Sequence, residues 1–217
     1  TSWNSMMISA FVKGYRISGN EKYLQVAINA AKYFSEQFSK YGFIHRTFKN
    51  DIPKLNGYLD DYAYLVNSLI DVFEITSDAY FLDMAQNIAN YMIEHFWNEN
   101  EKSFYFTADT HESLIVRPKN YYDLSVPSGN SVAAYVLLKL YHITNSFITH
   151  KKIKKMKKTL SLHSTSFSNI EEKNSTYVIG GWHGQWSKFY FFKKYKGFFN
   201  ALKICLPNVL LNLIQLI

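Results

Sequence analysis

The chain has 217 residues, 47% of them apolar, a formal net charge of +7 and one cysteine. That length and apolar content supply a real core for one domain and a small second one, which excludes a disordered chain. Cys205 has no second thiol to pair with, which excludes an intrachain disulfide, a Cys-x-x-Cys redox pair and a multi-thiolate zinc site and makes a reducing, cytoplasmic setting the default.

No basic stretch followed by an apolar core precedes the first helical pattern, so no signal peptide is expected, and the start at Thr1 without methionine suggests a fragment or a processed piece. From Ser2-Trp3-Asn4 an amphipathic run predicts helices over 3–17 and 21–38, parted by Ser18-Gly19-Asn20. Ser39 to Asp60 then forms a connection of ~20 residues with strand-like Gly42 to Phe48. Asp60-Asp61-Tyr62 opens helices over 61–75 and 79–97, parted by Thr76-Ser77-Asp78. Asn98 to Ser128 is a longer connection of ~30 residues, with strand-like Ser103-Phe104-Tyr105-Phe106 and Leu114-Ile115-Val116. Ser128-Gly129-Asn130 opens helices over 129–143 and 148–162.

These are three copies of one unit. Aligned on Ile17, Ile75 and Ile143, Met7 matches Leu65 and Ala133, Phe11 matches Leu69 and Leu137, and Tyr15 matches Phe73 and Tyr141. The second helices carry Ala27, Ala30 and Phe34, then Ala85, Ile88 and Met92, then Ile153, Met156 and Leu160. Repeated helical hairpins predict an all-α fold. Each short turn joins helices at one end and each long loop feeds the next hairpin at the other, so small β-hairpins in the long loops cap one shared rim. That rim is the expected site.

The last part of the chain differs. Lys151 to Lys158 holds six lysines, but Ile153, Met156 and Leu160 mark a buried stripe, so the lysines form the solvated back of a helix and nucleic acid is disfavoured as a partner. Beyond Ser161 the sequence is aromatic and lysine-rich with no hairpin pattern. Its final apolar run, Ala201 to Ile217, is interrupted by Pro207, Asn208, Asn212 and Gln215 and falls short of the ~20 residues of a membrane span. No membrane partner is expected.

The chemistry-bearing groups gather at the loops. Asp60, Asp61, Ser128 and Asn130 stand at helix starts, where they either cap free amides or, for one of the two aspartates, face a cavity as a base or sugar-hydroxyl acceptor. The second long loop concentrates His111, Glu112, Arg117, Lys119, Tyr121, Tyr122 and Asp123. Arg117 and Asp123 either pin the loop as an ion pair or contact a polyol. Among the rings, Trp3, Tyr58, Tyr62, Tyr105, Tyr121 and Tyr122 are rim candidates for stacking on sugars. His45 and His111 could act as acid and base, and His95 reads as a partner for a helix C-terminus. No His-Glu-x-x-His spacing occurs, so neither a metal nor another cofactor is expected.

Four ordered motifs, Thr1-Ser2-Trp3-Asn4, Leu59-Asp60-Asp61-Tyr62-Ala63, Ile115-Val116-Arg117-Pro118-Lys119 and Val126-Pro127-Ser128-Gly129-Asn130-Ser131-Val132-Ala133-Ala134, closely resemble the thioredoxin-domain-containing spermatogenesis-associated protein family over about residues 1–145. The resemblance implies a partial (α/α) toroid, similar to the six-hairpin glycosidases and the N-acylglucosamine 2-epimerases, over residues 1–162, with 163–217 a divergent or aberrant extension. It also implies a thioredoxin-like domain that this chain lacks, and a carbohydrate-type ligand. Ser5 stands where the family is expected to have glycine.

On this reading Asp60, Asp61 and Asp123 are the catalytic candidates, and Trp3, Asn4, Tyr62, His111, Arg117, Tyr122, Ser128 and Asn130 the substrate-binding ones. Three functions are open: a sugar epimerase or glycosidase, a non-catalytic glycan- or protein-binding toroid partnering a thioredoxin-like domain, and a basic adaptor using Lys151 to Lys158.

Overall fold

The computed structural model describes residues 1–50 and 52–144, together with the backbone of three short strands farther along the chain. Helix α1 (Ser2–Ser18) ends where Gly19 takes φ 66° and returns its amide to the Tyr15 carbonyl at 2.8 Å. Asn20 caps α2 (Glu21–Tyr41) by accepting the Lys22 amide at 3.0 Å, so two residues suffice to reverse the chain. The same device recurs between α3 (Leu59–Thr76) and α4 (Ala79–Phe96): Ser77 takes φ 55°, and Asp78 accepts the Tyr80 amide at 3.0 Å. Ser128 starts α5 (Gly129–Thr144) by accepting the Ser131 amide at 3.2 Å.

Both expected β-hairpins form, the second with a different partner. β1 (His45–Lys49) pairs antiparallel with β2 (Ile52–Asn56). β3 (Trp97–Asn98) pairs with β4 (Ser103–Phe104), whereas Leu114-Ile115-Val116 lies in irregular chain with Ile115 and Val116 exposed. That run has strand propensity but no face to bury, and Pro118 removes a donor next to it.

Farther on, β5 (Glu171–Lys173), β6 (Thr176–Ile179) and β7 (Phe189–Phe191) form an antiparallel sheet in that order, an element the unpatterned sequence did not announce. The helix expected over 148–162, the lysine run and the apolar run at 201–217 lie outside the described residues. Among the described residues no helix is long and apolar enough to cross a membrane.

The first helices of the three repeats stand side by side and parallel, with α3 between α1 and α5 and α4 packed behind α3. This central place explains why α3 is apolar nearly all round: Leu59, Ala63, Leu65, Val66, Leu69, Ile70 and Val72 are all buried. The repeats touch in register. Ser9 and its equivalent Asn67 are hydrogen bonded at 3.2 Å, Arg16 pairs with its equivalent Glu74 at 2.9 Å, and Asp71 pairs with its equivalent Lys139 at 2.8 Å.

α1 stands at one end of the described row, and there Met7 is 55% exposed while its equivalents Leu65 and Ala133 are buried completely. An internal repeat therefore does not guarantee equal burial, because the end unit has one neighbour fewer.

The ions between the helices sit away from the loop-bearing rim. Lys139 is buried, 2.8 Å from Asp71 and 3.2 Å from Glu74. Burial by itself would discharge its ammonium, but Asp71, then Tyr135 and Glu74, outweigh that cost and raise its pKa. Removing one partner of such a group strands the others. Lys139→Ala is expected to cost about 3–5 kcal/mol in urea unfolding, and the double variant Lys139→Ala/Asp71→Ala less than the sum of the single changes.

Candidate functional site at the loop-bearing rim

The two long loops and the start of α3 interlock at one end of the helices. Arg46 of β1 reaches Asp61 at 3.3 Å and lies 4.8 Å from the centre of the Tyr58 ring. Tyr58 stacks within 8° of parallel on Phe106 and on His111, at 4.7 and 5.5 Å between ring centres. The Leu59 amide donates to the Phe106 carbonyl at 3.0 Å, and the Phe106 amide to the Pro118 carbonyl at 2.8 Å. Arg117 donates to the carbonyls of Thr107 and His95 while lying 4.0 Å over the Tyr105 ring. Asp61 and Arg117 thus belong to one continuous rim.

Within that rim, neighbouring aspartates have unlike surroundings. Asp61 is fully buried and both of its oxygens are engaged: Oδ1 accepts the Ser2 amide at 3.0 Å, while Oδ2 accepts the Tyr58 amide at 3.0 Å and faces Arg46. It ties α1, β1 and the start of α3 together.

Asp60 points at the start of α5, where its Oδ1 is buried without a hydrogen-bond partner. The Gly129 amide lies near enough to favour the charged form without making a well-formed bond to that oxygen. Burial first, then the adjacent Asp61, push the Asp60 carboxyl up to about 6, against the pull of Arg46 and the Gly129 amide. Tyr64, one turn on, feels the charges of both Asp60 and Asp123; burial first and then these two raise its pKa, and its hydroxyl donates to the Pro127 carbonyl at 2.8 Å. Arg46 and Tyr64 were not candidates in the sequence. The i, i+4 spacing of Tyr64 from Asp60 was a usable signal, whereas nothing local marks Arg46.

Several other candidates are committed to internal bonds. Asn130 is buried and accepts the Phe104 amide at 2.8 Å while donating to the carbonyls of Phe104 and Asn120 at 3.0 and 2.9 Å, taking the place of a strand beside β4. Ser128 donates its amide to Asp123 at 2.9 Å, and Asp123 also accepts from Ser131 Oγ at 2.9 Å. Asp123 therefore holds the entry into α5, while Arg117 holds backbone carbonyls, which is a different pinning of the loop from the ion pair that the sequence left open.

Tyr62 is a core residue: it faces α4, stacks 5.2 Å from Tyr91, and accepts the Ile44 amide at 3.0 Å. His111 accepts the Ala108 amide at 2.9 Å on Nδ1 and turns Nε2 to the Asn56 carbonyl at 3.4 Å, which assigns the proton to Nε2. His45 is buried among Tyr41, Phe43 and Phe48, and desolvation lowers its pKa. Trp3, Asn4 and Tyr122 are exposed, Trp3 on the uncovered side of α1.

Two outcomes follow from these contacts. Asn130→Ala, which strands the Phe104 amide and two carbonyls, is expected to lower unfolding stability by about 2–4 kcal/mol in denaturant melts. Asp60 titrates in the folded protein above its ordinary value of 3.8, so folding takes up a proton between about pH 4 and about pH 6. Its stabilising contribution is present below about pH 4 and is lost as the pH rises through about 6. Measured against Asp60→Asn, the unaltered protein should lose about 3 kcal/mol of stability between pH 4 and pH 7.

Similarity to known proteins agrees with this architecture. Spermatogenesis-associated protein 20 of Rattus norvegicus is 28% identical over 154 residues, 66% of this chain and 20% of that protein, and the Homo sapiens protein is 27% identical over the same shares. The chain spans about a fifth of the length of these curated relatives.

Two solved structures share the helical toroid, each with a TM-score of 0.57. The GH76 alpha-mannanase of Bacteroides thetaiotaomicron is 18% identical, over 73% of this chain and 43% of that one. The cellobiose 2-epimerase of Bacillus thermoamylovorans is 14% identical, over 81% of this chain and 46% of that one. The fold is therefore a partial (α/α) toroid. Residues 2–198 match the family described as beta-L-arabinofuranosidase, GH127 catalytic domain, and the chain belongs to that family.

Proposed function

We propose that this chain forms one wall of a sugar site at the loop-bearing rim, with Asp60 as the group that transfers a proton. The observation that carries the reading is the Asp60 carboxyl itself: it is half-buried, its Oδ1 is out of water without a hydrogen-bond partner, and its pKa is pushed up to about 6 within the fields of Arg46 and Tyr64. A carboxyl of that kind keeps about a tenth of its population protonated at neutral pH and can act as either acid or base. Asp61, with both oxygens engaged, orients Arg46 and the helix start and does not itself meet the sugar. Arg46 supplies a cation at the same place, held over the Tyr58 ring.

A glycosidase needs a second carboxyl at ~5 or ~6.5–9.5 Å from the first. Asp123, which reaches Tyr64 electrostatically as Asp60 does, is the described candidate. An epimerase needs two bases flanking a carbon next to a carbonyl. The family match and the sugar-active names of the two structural neighbours support a carbohydrate ligand. The repeat pattern supports a toroid part over residues 1–162 and an extension over 163–217, and the single cysteine supports a cytoplasmic setting.

A second reading, a non-catalytic glycan- or protein-binding toroid that partners a thioredoxin-like domain, is favoured by the engagement of Asp61, Ser128 and Asn130 in internal bonds. Calorimetric titration of arabinosides, mannosides and cellobiose into the chain, with chromatography of products, separates the two. Asp60→Asn is expected to bind sugar like the unaltered chain while turnover falls by about 10²-fold or more. Binding without turnover in both proteins selects the second reading, and no binding in either removes both.

A further inference from the structure

We propose that Gly129 is the positioning residue for Asp60: lacking a side chain, it leaves the space in which the Asp60 carboxyl rests against the start of α5. The functional side of this claim rests on reading Asp60 as the proton-transferring group. A Cβ at Gly129 would fall 2.2 Å from Asp60 Oδ1, 3.0 Å from Leu59 Cγ and 3.2 Å from the Asp60 backbone nitrogen. The first contact is far inside van der Waals range, and the last is to backbone, so turning the carboxyl in place does not relieve both.

Glycine is not needed here for its conformational freedom, because φ at Gly129 lies outside the left-handed region. Nor does the repeat call for it. Counting back from the closing isoleucines, the equivalents of Gly129 are Trp3 and Asp61. At α5 an aspartate from a neighbouring helix lies directly against this position, where the other two repeats carry the side chains of Trp3 and Asp61. The glycine fits that carboxyl, not the fold in general.

The vacancy has a chemical consequence. Gly129 contributes one of the unpaired amides at the start of α5, which offsets part of the cost of keeping Asp60 charged out of water. A methyl group at 129 takes the volume of Oδ1. Since the oxygen is already buried, the carboxyl has to swing outward into solvent, where the desolvation that raises its pKa is lost.

The test is Gly129→Ala in the full chain, with aspartate carboxyl ¹³C labels titrated by NMR and the Asp60 signal assigned through Asp60→Asn. The Asp60 midpoint is expected to fall by about one pH unit or more towards the ordinary carboxylate value. A midpoint unchanged in Gly129→Ala overturns the proposal. Should Gly129→Ala fold poorly, urea melts of Gly129→Ala, Asp60→Ala and the double variant decide instead. The cost of the added methyl is expected to shrink once the carboxyl is gone, and an equal cost in both backgrounds overturns the proposal. Neither readout depends on turnover, so failure to find a sugar reaction would sink the reading of Asp60 as a catalyst without touching this one.

Discussion

Where α3 lies between α1 and α5, four polar contacts join a residue to its own repeat equivalent or to that residue's neighbour: Asn67 to Ser9, Glu74 to Arg16, Asp71 to Lys139, and Asp60 to the start of α5. Parallel packing without stagger is what allows this, and it forces every long connection to the end where the first helices begin. The buried Lys139 holds the register from the far side. A shift of one residue along α3 would turn Asp71 about 100° away from it and leave an unpaired ammonium in the core, a cost of several kcal/mol. The geometry at the rim is therefore not set by the rim alone.

The two described hairpins were legible in the sequence because their signals are local and repeated. Apolar residues recur every four positions, and each short break holds a residue that can take the left-handed conformation or accept an amide, namely Gly19 with Asn20 and Ser77 with Asp78. Helix ends moved by up to three residues, as at Tyr41, because a last turn costs little to extend until Gly42 stops it. What was not legible depends on partners distant in sequence. Leu114-Ile115-Val116 reads as a strand but meets no other strand, and Met7 reads as core but faces the side of α1 that no described helix covers.

The site followed the same division. That acids, an arginine, rings and histidines converge on one end could be read from loop lengths, and Asp60, Asp61, Asp123, His111 and Arg117 are all at that end. Which of them is spent on structure could not be read, because the answer lies in backbone groups that carry no sequence signature. Arg117 serves the carbonyls of Thr107 and His95, and Asn130 serves the backbone of Phe104 and Asn120. In each case a side chain suited to a ligand satisfies a peptide group that the irregular loop would otherwise leave unpaired.

The two neighbouring aspartates show how little residue type decides by itself. On a helix, successive side chains diverge by about 100°, so Asp60 and Asp61 cannot face the same element. Asp61 faces α1 and β1, where two amides and a guanidinium meet it and it ties these elements to the start of α3. Asp60 is half-buried and faces α5, where Gly129 leaves room for its carboxyl and its Oδ1 has no hydrogen-bond partner. An acid that the fold satisfies completely stabilises the fold. An acid that the fold half-buries and leaves incomplete costs stability at neutral pH and keeps its proton exchangeable.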